Sequence, residues 1–408
     1  MFMKLDQQDL INVDKVDKIF EEIELNDNET DLKKSKFDKL KFFFKKRGNN
    51  LKEFMGKSPL FSYALKRIIY AFITLYIAIS IIFIMLSVVT TDSAYLSGVN
   101  LEKLNIEYGS EQYHRLLDNK KRLYGAYGSV FQQLFIYLRN VTPFIPKEII
   151  KNPSLVGTEI VGEKTTVWFY LGAFMNSASG GVPGTPVLDA FSKSIPISFS
   201  VGAIAVVLSY IIGVPLGILA AKYKDKSTDS AINGTSLIIT AIPSLVLISL
   251  LYKMSIYVFG ANGTYADSNF STKIWPVLGV MLLIMPYIIV NTRRYVIDEM
   301  TSDYTKFAIS KGLSSRYVFY VHIFRNASIR LVKTMPEIFV ITLFGSSILV
   351  ERHWSIDGMS KFILNGVSNK DTYVVLGYIF ISASAGVFSS LTGDLLLAVM
   401  DPRIKLTK

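Results

Sequence analysis

The chain has 408 residues, 50% of them hydrophobic and only 19% charged, with a net charge of +11 and no cysteine. A soluble enzyme carries nearer ~25% charged residues and a disordered chain far fewer large apolar ones, so neither class fits. The missing cysteines remove disulfide scaffolds, thiol catalysis and Cys-based zinc sites, and three scattered histidines (His114, His322, His353) suggest no metal site.

Residues 1–65 read as a polar cytoplasmic tail, acidic up to Asp31 and densely basic from Lys33 to Arg67. Phe37, Leu40, Phe42, Phe43 and Phe44 interleave with the lysines. The basic half is therefore either an amphipathic segment on anionic lipid or a tail that fixes orientation. The following apolar run is too long for a cleavable leader, so no signal peptide is expected. Gly56-Lys57-Ser58 imitates the end of a phosphate-binding loop. The glycine required five residues earlier is Leu51, and a membrane helix comes almost at once, so the motif fails.

From Ile68 to Thr90 no residue is charged. A helix of that length reaches about 35 Å, enough for a ~30 Å hydrocarbon layer, and 66–90 is taken as the first span. Ile195–Ala221, Ala231–Tyr252, Ile274–Thr292 and Thr372–Gly393 are similar runs. A sixth, Pro336–Val350, is shorter and carries Glu337; it is counted because its neighbours need a crossing. One such run could be a soluble core helix, but five could not. The expectation is an all-α integral membrane protein with six transmembrane helices, since helices satisfy their own backbone groups in lipid.

Residues 91–190, between the first two spans, balance nine acids against nine bases and are rich in aromatics from Tyr108 to Tyr170. They read as a folded external domain whose aromatics either form its core or offer a docking surface. Gly180, Gly181, Pro183, Gly184 and Pro186 return the chain to the membrane. Lysine and arginine crowd the loops 222–230 and 293–335 and the C-terminal tail, whereas the loop 259–273 has only Lys273. That alternation puts both termini in the cytoplasm and makes the excess positive charge a topology signal, with no nucleic-acid partner. Pro215 and Pro243 interrupt helical hydrogen bonding and read as tolerated kinks in preference to hinges.

The loop 295–335 carries the most information. Two short helical patterns flank Gly312, which suits a left-handed helix end, and Ser314 can cap the second of them. Tyr304, Phe307, Ala308 and Lys311 share a face by spacing, and Ala308 with Gly312 leaves a gap for close approach. Such an element is either a lipid-surface helix or a knob for a groove in a partner. Asp303-Tyr304, Ala308, Lys311-Gly312-Leu313-Ser314 and Arg325-Asn326-Ala327 here resemble the cytoplasmic EAA loop of bacterial ABC-importer permeases, in the form carried by oligopeptide and dipeptide systems. Outside the loop, Pro186-Val187-Leu188, Ile212-Gly213-Val214-Pro215-Leu216-Gly217, Pro243-Ser244 and Asp401-Pro402-Arg403-Ile404 are similar to the same family. Tyr124-Gly125 and Tyr137-Leu138 resemble the external loop of its B-type member. The likeness covers about 66–404. It departs at Arg330, where a proline is expected, and in the added length between Val141 and Phe174.

The resemblance implies the type I ABC-importer permease fold in a bacterial cytoplasmic membrane, with a permease core at 191–404. It implies a second homologous permease, two cytoplasmic ABC ATPase subunits, an external peptide-binding protein and membrane lipid as partners. The chain itself would hold no catalytic residue, metal or cofactor; ATP and magnesium would belong to the ATPase subunits. Coupling to them would fall to Asp303, Tyr304, Phe307, Ala308, Lys311, Gly312, Leu313, Ser314, Arg325 and Asn326. The alternatives are a nickel or other small-solute permease of the same family and, from another class, a membrane receptor or scaffold.

Overall fold

The computed structural model describes residues 59–400 apart from 98, 157–158 and 267–268. The basic tail, the 56–58 motif and the closing Asp401-Pro402-Arg403-Ile404 lie outside the described residues. In chain order the elements begin with α1 (Pro59–Val89), α2 (Asp92–Tyr95), α3 (Glu111–Tyr124), α4 (Val130–Val141), β1 (Lys147–Val156) and β2 (Glu159–Val167). The membrane core continues as α5 (Val187–Lys222), α6 (Ser227–Ala241), α7 (Ser244–Tyr257), α8 (Phe270–Met300) and α9 (Asp303–Ser310). A long helical run then comprises α10 (Ser315–Tyr317), a π-helical stretch, α11 (Arg325–Ile341), a second π-helical stretch and α12 (Ser347–His353). Next come α13 (Ser360–Ser368) and α14 (Thr372–Met400).

Among the described residues, five helical runs are long and apolar enough to cross a membrane, or six if the bent pair α6–α7 is one span. The protein is an all-α integral membrane protein to which the 91–186 region adds one antiparallel β-hairpin. Two expectations need correction. Ala231–Tyr252 is not one helix, because α6 and α7 meet at 99°. Ile242 there takes the extended conformation (ψ 128°) imposed on a residue before proline, and Pro243 heads the next helix. Pro243 thus marks a break rather than a kink, while Pro215 sits inside an uninterrupted α5. The short segment Pro336–Val350 is the C-terminal part of a 39-residue helical run, Ser315–His353.

Small residues set how closely the spans approach. Ala205, Ser209, Gly213, Gly217 and Ala221 recur every fourth position on α5, and all are buried. A Cβ at Gly217 would lie 2.7 Å from the Ile289 carbonyl oxygen, and one at Gly213 would lie 3.1 Å from Ile288 Cγ2. Only glycine allows the α5 and α8 backbones this near, the packing mode of helices that have no hydrophobic drive between them in lipid. At one end of the spans, Arg67 of α1 pairs with Asp394 of α14 at 3.1 Å, and Lys333 of α11 approaches the same carboxylate at 3.6 Å.

The 91–186 region is not built around an independent aromatic core. Tyr124 and Tyr137 are buried against the membrane helices: Phe83 of α1 stacks on Tyr137 at 5.4 Å, and Tyr373 of α14 lies 6.1 and 6.3 Å from Tyr124 and Tyr137. A smaller cluster of Leu96, Ile106, Tyr113, Leu116 and Leu117 holds α3. Tyr108, Phe131, Phe135 and Trp168 remain exposed. The added length after Val141 forms the hairpin, with Lys147 opposite Val167 and a bulge between Lys151 and Ser154. Buried Lys147 is held there by the carbonyl oxygens of Trp168 (2.8 Å) and Thr142, and burial pushes its ammonium pKa down.

Asp371 fastens this region to α14. Its buried carboxylate accepts the backbone N–H groups of Met175 (2.9 Å), Asn176 (3.1 Å) and Val374 (3.4 Å), although burial still pushes its pKa up. Truncating it strands the Met175 and Asn176 donors away from water, each worth about 1–3 kcal/mol. Asp371→Ala should therefore accelerate hydrogen exchange at Met175 and Asn176 by about tenfold or more, with the α5–α8 amides unchanged. Exchange measured by mass spectrometry in detergent checks this, and equal rates would remove Asp371 as the fastening.

Candidate functional site

The segment after α8 is built by a tight sequence of local hydrogen bonds. α8 ends at Met300, and Ser302 Oγ donates to the Glu299 carbonyl oxygen at 2.7 Å, as does Thr305 Oγ1 at 2.8 Å. These bonds turn the chain directly into α9. That helix stops at Gly312, whose φ of 79° is the left-handed conformation that a Cβ disfavours. The Gly312 N–H reaches the Ile309 carbonyl at 2.9 Å and the Leu313 N–H reaches that of Ala308 at 3.4 Å, the paired bonds of a Schellman stop. Ser314 Oγ then accepts the Tyr317 N–H at 3.4 Å and begins the next helix.

This second helix is not a short separate one. It runs through the π-helical stretch Val318–Phe324 into α11, where Arg325 and Asn326 already lie in a regular turn. The face inferred from spacing is split. Ala308 is only 6% exposed and packs inward with Val296, Val318, Ile323 and Ala327, so it leaves no gap for a partner. Tyr304 is also half-turned inward, its hydroxyl donating to Glu299. Phe307 points out at 60% exposure, with the Lys311 ammonium 4.4 Å over its ring. Ile309, Leu313, Tyr317 and Tyr320 are exposed as well, which leaves an apolar and aromatic surface around the Gly312 turn. Nothing lies within 4 Å of a Cβ built at Gly312, so the turn itself is open.

Two arginines that form ion pairs at the base of this element were not legible as a site. Arg293 of α8 grips Asp229 of α6 with two bonds of 2.6 Å, and Asp229 is buried. Arg330 of α11 reaches Asp298 at 3.0 Å and Glu299 at 2.5 Å. The only signal in the sequence was that Arg330 stands where a proline was expected.

Residues 213–406, which contain the whole element, match the family described as "Binding-protein-dependent transport system inner membrane component". These residues are a domain of that family. The description of that family is one of a transport component. Curated relatives include the oligopeptide transport system permease protein AmiC of Streptococcus pneumoniae, 32% identical over 220 residues, covering 53% of this chain and 44% of that one. The peptidoglycan transport system permease protein YejB of Agrobacterium fabrum is 30% identical over 240 residues, covering 53% and 65%. The dipeptide transport system permease protein DppB of Lactococcus lactis is 24% identical over 349 residues, covering 84% and 99%. The chain thus spans about half of AmiC and somewhat under two thirds of YejB.

The loop has a built interior and an open exterior, and substitutions should separate them. Ala308→Glu puts a charge among Val296, Val318 and Ala327, and Gly312→Val forces a β-branched residue to positive φ; either should open the α9 turn. Tryptic cleavage after Lys306 and Lys311, in the chain held in lipid nanodiscs, should quicken by about tenfold in both. The exposed pair Lys306–Asp303 contributes little, so Lys306→Ala should leave cleavage after Lys311 unchanged.

Proposed function

We propose that this chain is one of two permease subunits of an ATP-driven importer of peptides, and that α9 with the Gly312 turn docks a cytoplasmic ABC ATPase subunit. The supporting observation is the exposed surface of Phe307, Ile309, Leu313, Tyr317 and Tyr320, carried on an element whose other side is packed into the protein. An apolar patch on a basic loop suits a protein groove better than open water. A rigid stop at Gly312 lets it transmit a push, as ATPase closure would require. The peptide substrate class rests on the names of the relatives above. The second permease would complete the pathway, ATP and magnesium would be held by the ATPase subunits, and both termini would lie in the cytoplasm by the distribution of lysine and arginine. No observation favours the nickel or receptor readings over this one.

Phe307→Asp combined with Tyr320→Asp should abolish co-purification of the ATPase subunits while the chain still inserts in the membrane. Uptake of labelled di-, tri- and longer peptides should require the chain and fail in the same variant. Nickel uptake, assayed alongside, should not depend on it. Peptide uptake unaffected by removal of the chain would end the proposal.

On the opposite side, the hairpin Lys147–Val167 would meet the external binding protein. Residues Leu171, Ala173 and Phe174 are buried among the membrane helices and must be kept, so the informative deletion is confined to 148–166. That deletion should weaken capture of the binding protein and spare ATPase association. Undiminished capture would leave the hairpin without this role.

A further inference from the structure

Glu299 stands at the junction of three elements. Its carbonyl oxygen accepts from Ser302 and Thr305 at the start of α9, one carboxylate oxygen accepts the Tyr304 hydroxyl, and the other accepts Arg330 Nη2 of α11 at 2.5 Å. Arg330 Nη1 also holds the neighbouring Asp298 at 3.0 Å, and its guanidinium lies over the Tyr295 ring, 5.4 Å from the centroid. We propose that Arg330 and Glu299 are positioning residues that clamp α9 to the ends of α8 and α11, so that the three move as one rigid body. The proposal rests on the reading of α9 as the coupling element and adds how a displacement of that element reaches two long helices at once.

Exposed ion pairs contribute little, and Arg330 is partly exposed. Glu299 is different, being only 8% exposed with both oxygens occupied. Removing its cation leaves a shielded carboxylate with a single hydroxyl donor, which drives it toward water and away from Tyr304. The π-helical stretch Val318–Phe324 lies between α9 and α11 along the chain, and π-bulges are among the places where helices kink. Along the chain, the path from α9 to α11 passes through this irregular stretch.

The chain has no native cysteine, so two introduced ones can be labelled uniquely. Spin labels at Ser310→Cys on α9 and Met335→Cys on α11, in the full chain in nanodiscs, report the distance distribution between the two elements. The wild-type background should give one narrow distribution. Arg330→Met should widen it by about twofold or more, and Arg330→Lys, which keeps a cation, should largely restore it. An unchanged width in Arg330→Met, or a broad one in the wild-type background, overturns the clamp. If Arg330→Met is not recovered folded, Glu299→Gln and Tyr304→Phe carry the test; widening in either supports the clamp, and no change in both overturns it. The measurement needs no ATPase. Failure of the coupling reading would appear separately, as ATPase capture undisturbed by Phe307→Asp with Tyr320→Asp.

Discussion

The close approach of α5 to α8 governs the course of the later helices. Gly217 sits against the Ile289 carbonyl at a distance no larger residue permits, and Gly213 packs tightly against Ile288. This crossing sets the direction of α8, whose last turn launches α9, and its Arg293 ties back to Asp229 of α6. In lipid, apolar helices gain nothing by hiding from their surroundings, so shape and a few buried polar bonds must supply the specificity. A row of small residues and one bidentate ion pair are the means used here.

The two ends of the spans are joined differently. At the end carrying α9, charged side chains bridge helices: Arg67 and Lys333 to Asp394, Arg293 to Asp229, and Arg330 to Asp298 and Glu299. At the other end, aromatic packing and backbone amides dominate, with Tyr124, Tyr137 and Tyr373 in contact and Asp371 gathering three N–H groups. Ion pairs hold helices through a few directional bonds, whereas a close-packed aromatic cluster resists partial displacement.

The candidate site was legible in kind and misleading in detail. Gly312 announced a helix stop because few residues tolerate its conformation, and Ser314 announced the next start. Phe307 and Ala308 looked alike as members of one helical face, but tertiary contacts turn one to solvent and bury the other against Val296 and Val318. Spacing shows which residues are neighbours on a helix and says nothing about which side meets the rest of the molecule. The bend at Pro243 was likewise marked by the proline, while its size depended on what α6 and α7 pack against.

The sequence by itself determined the membrane class, the approximate positions of the spans and the loop to examine. Each of these comes from local hydropathy, charge and backbone preference. The tertiary structure alone decided that the 91–186 region shares its core with α1 and α14, and that the added length is a hairpin. It also decided that Arg330, an oddity in one dimension, reaches a carboxylate 31 residues away. Such pairings depend on how helices cross, and the crossing is set by many weak contacts summed over the whole fold rather than by any segment read alone.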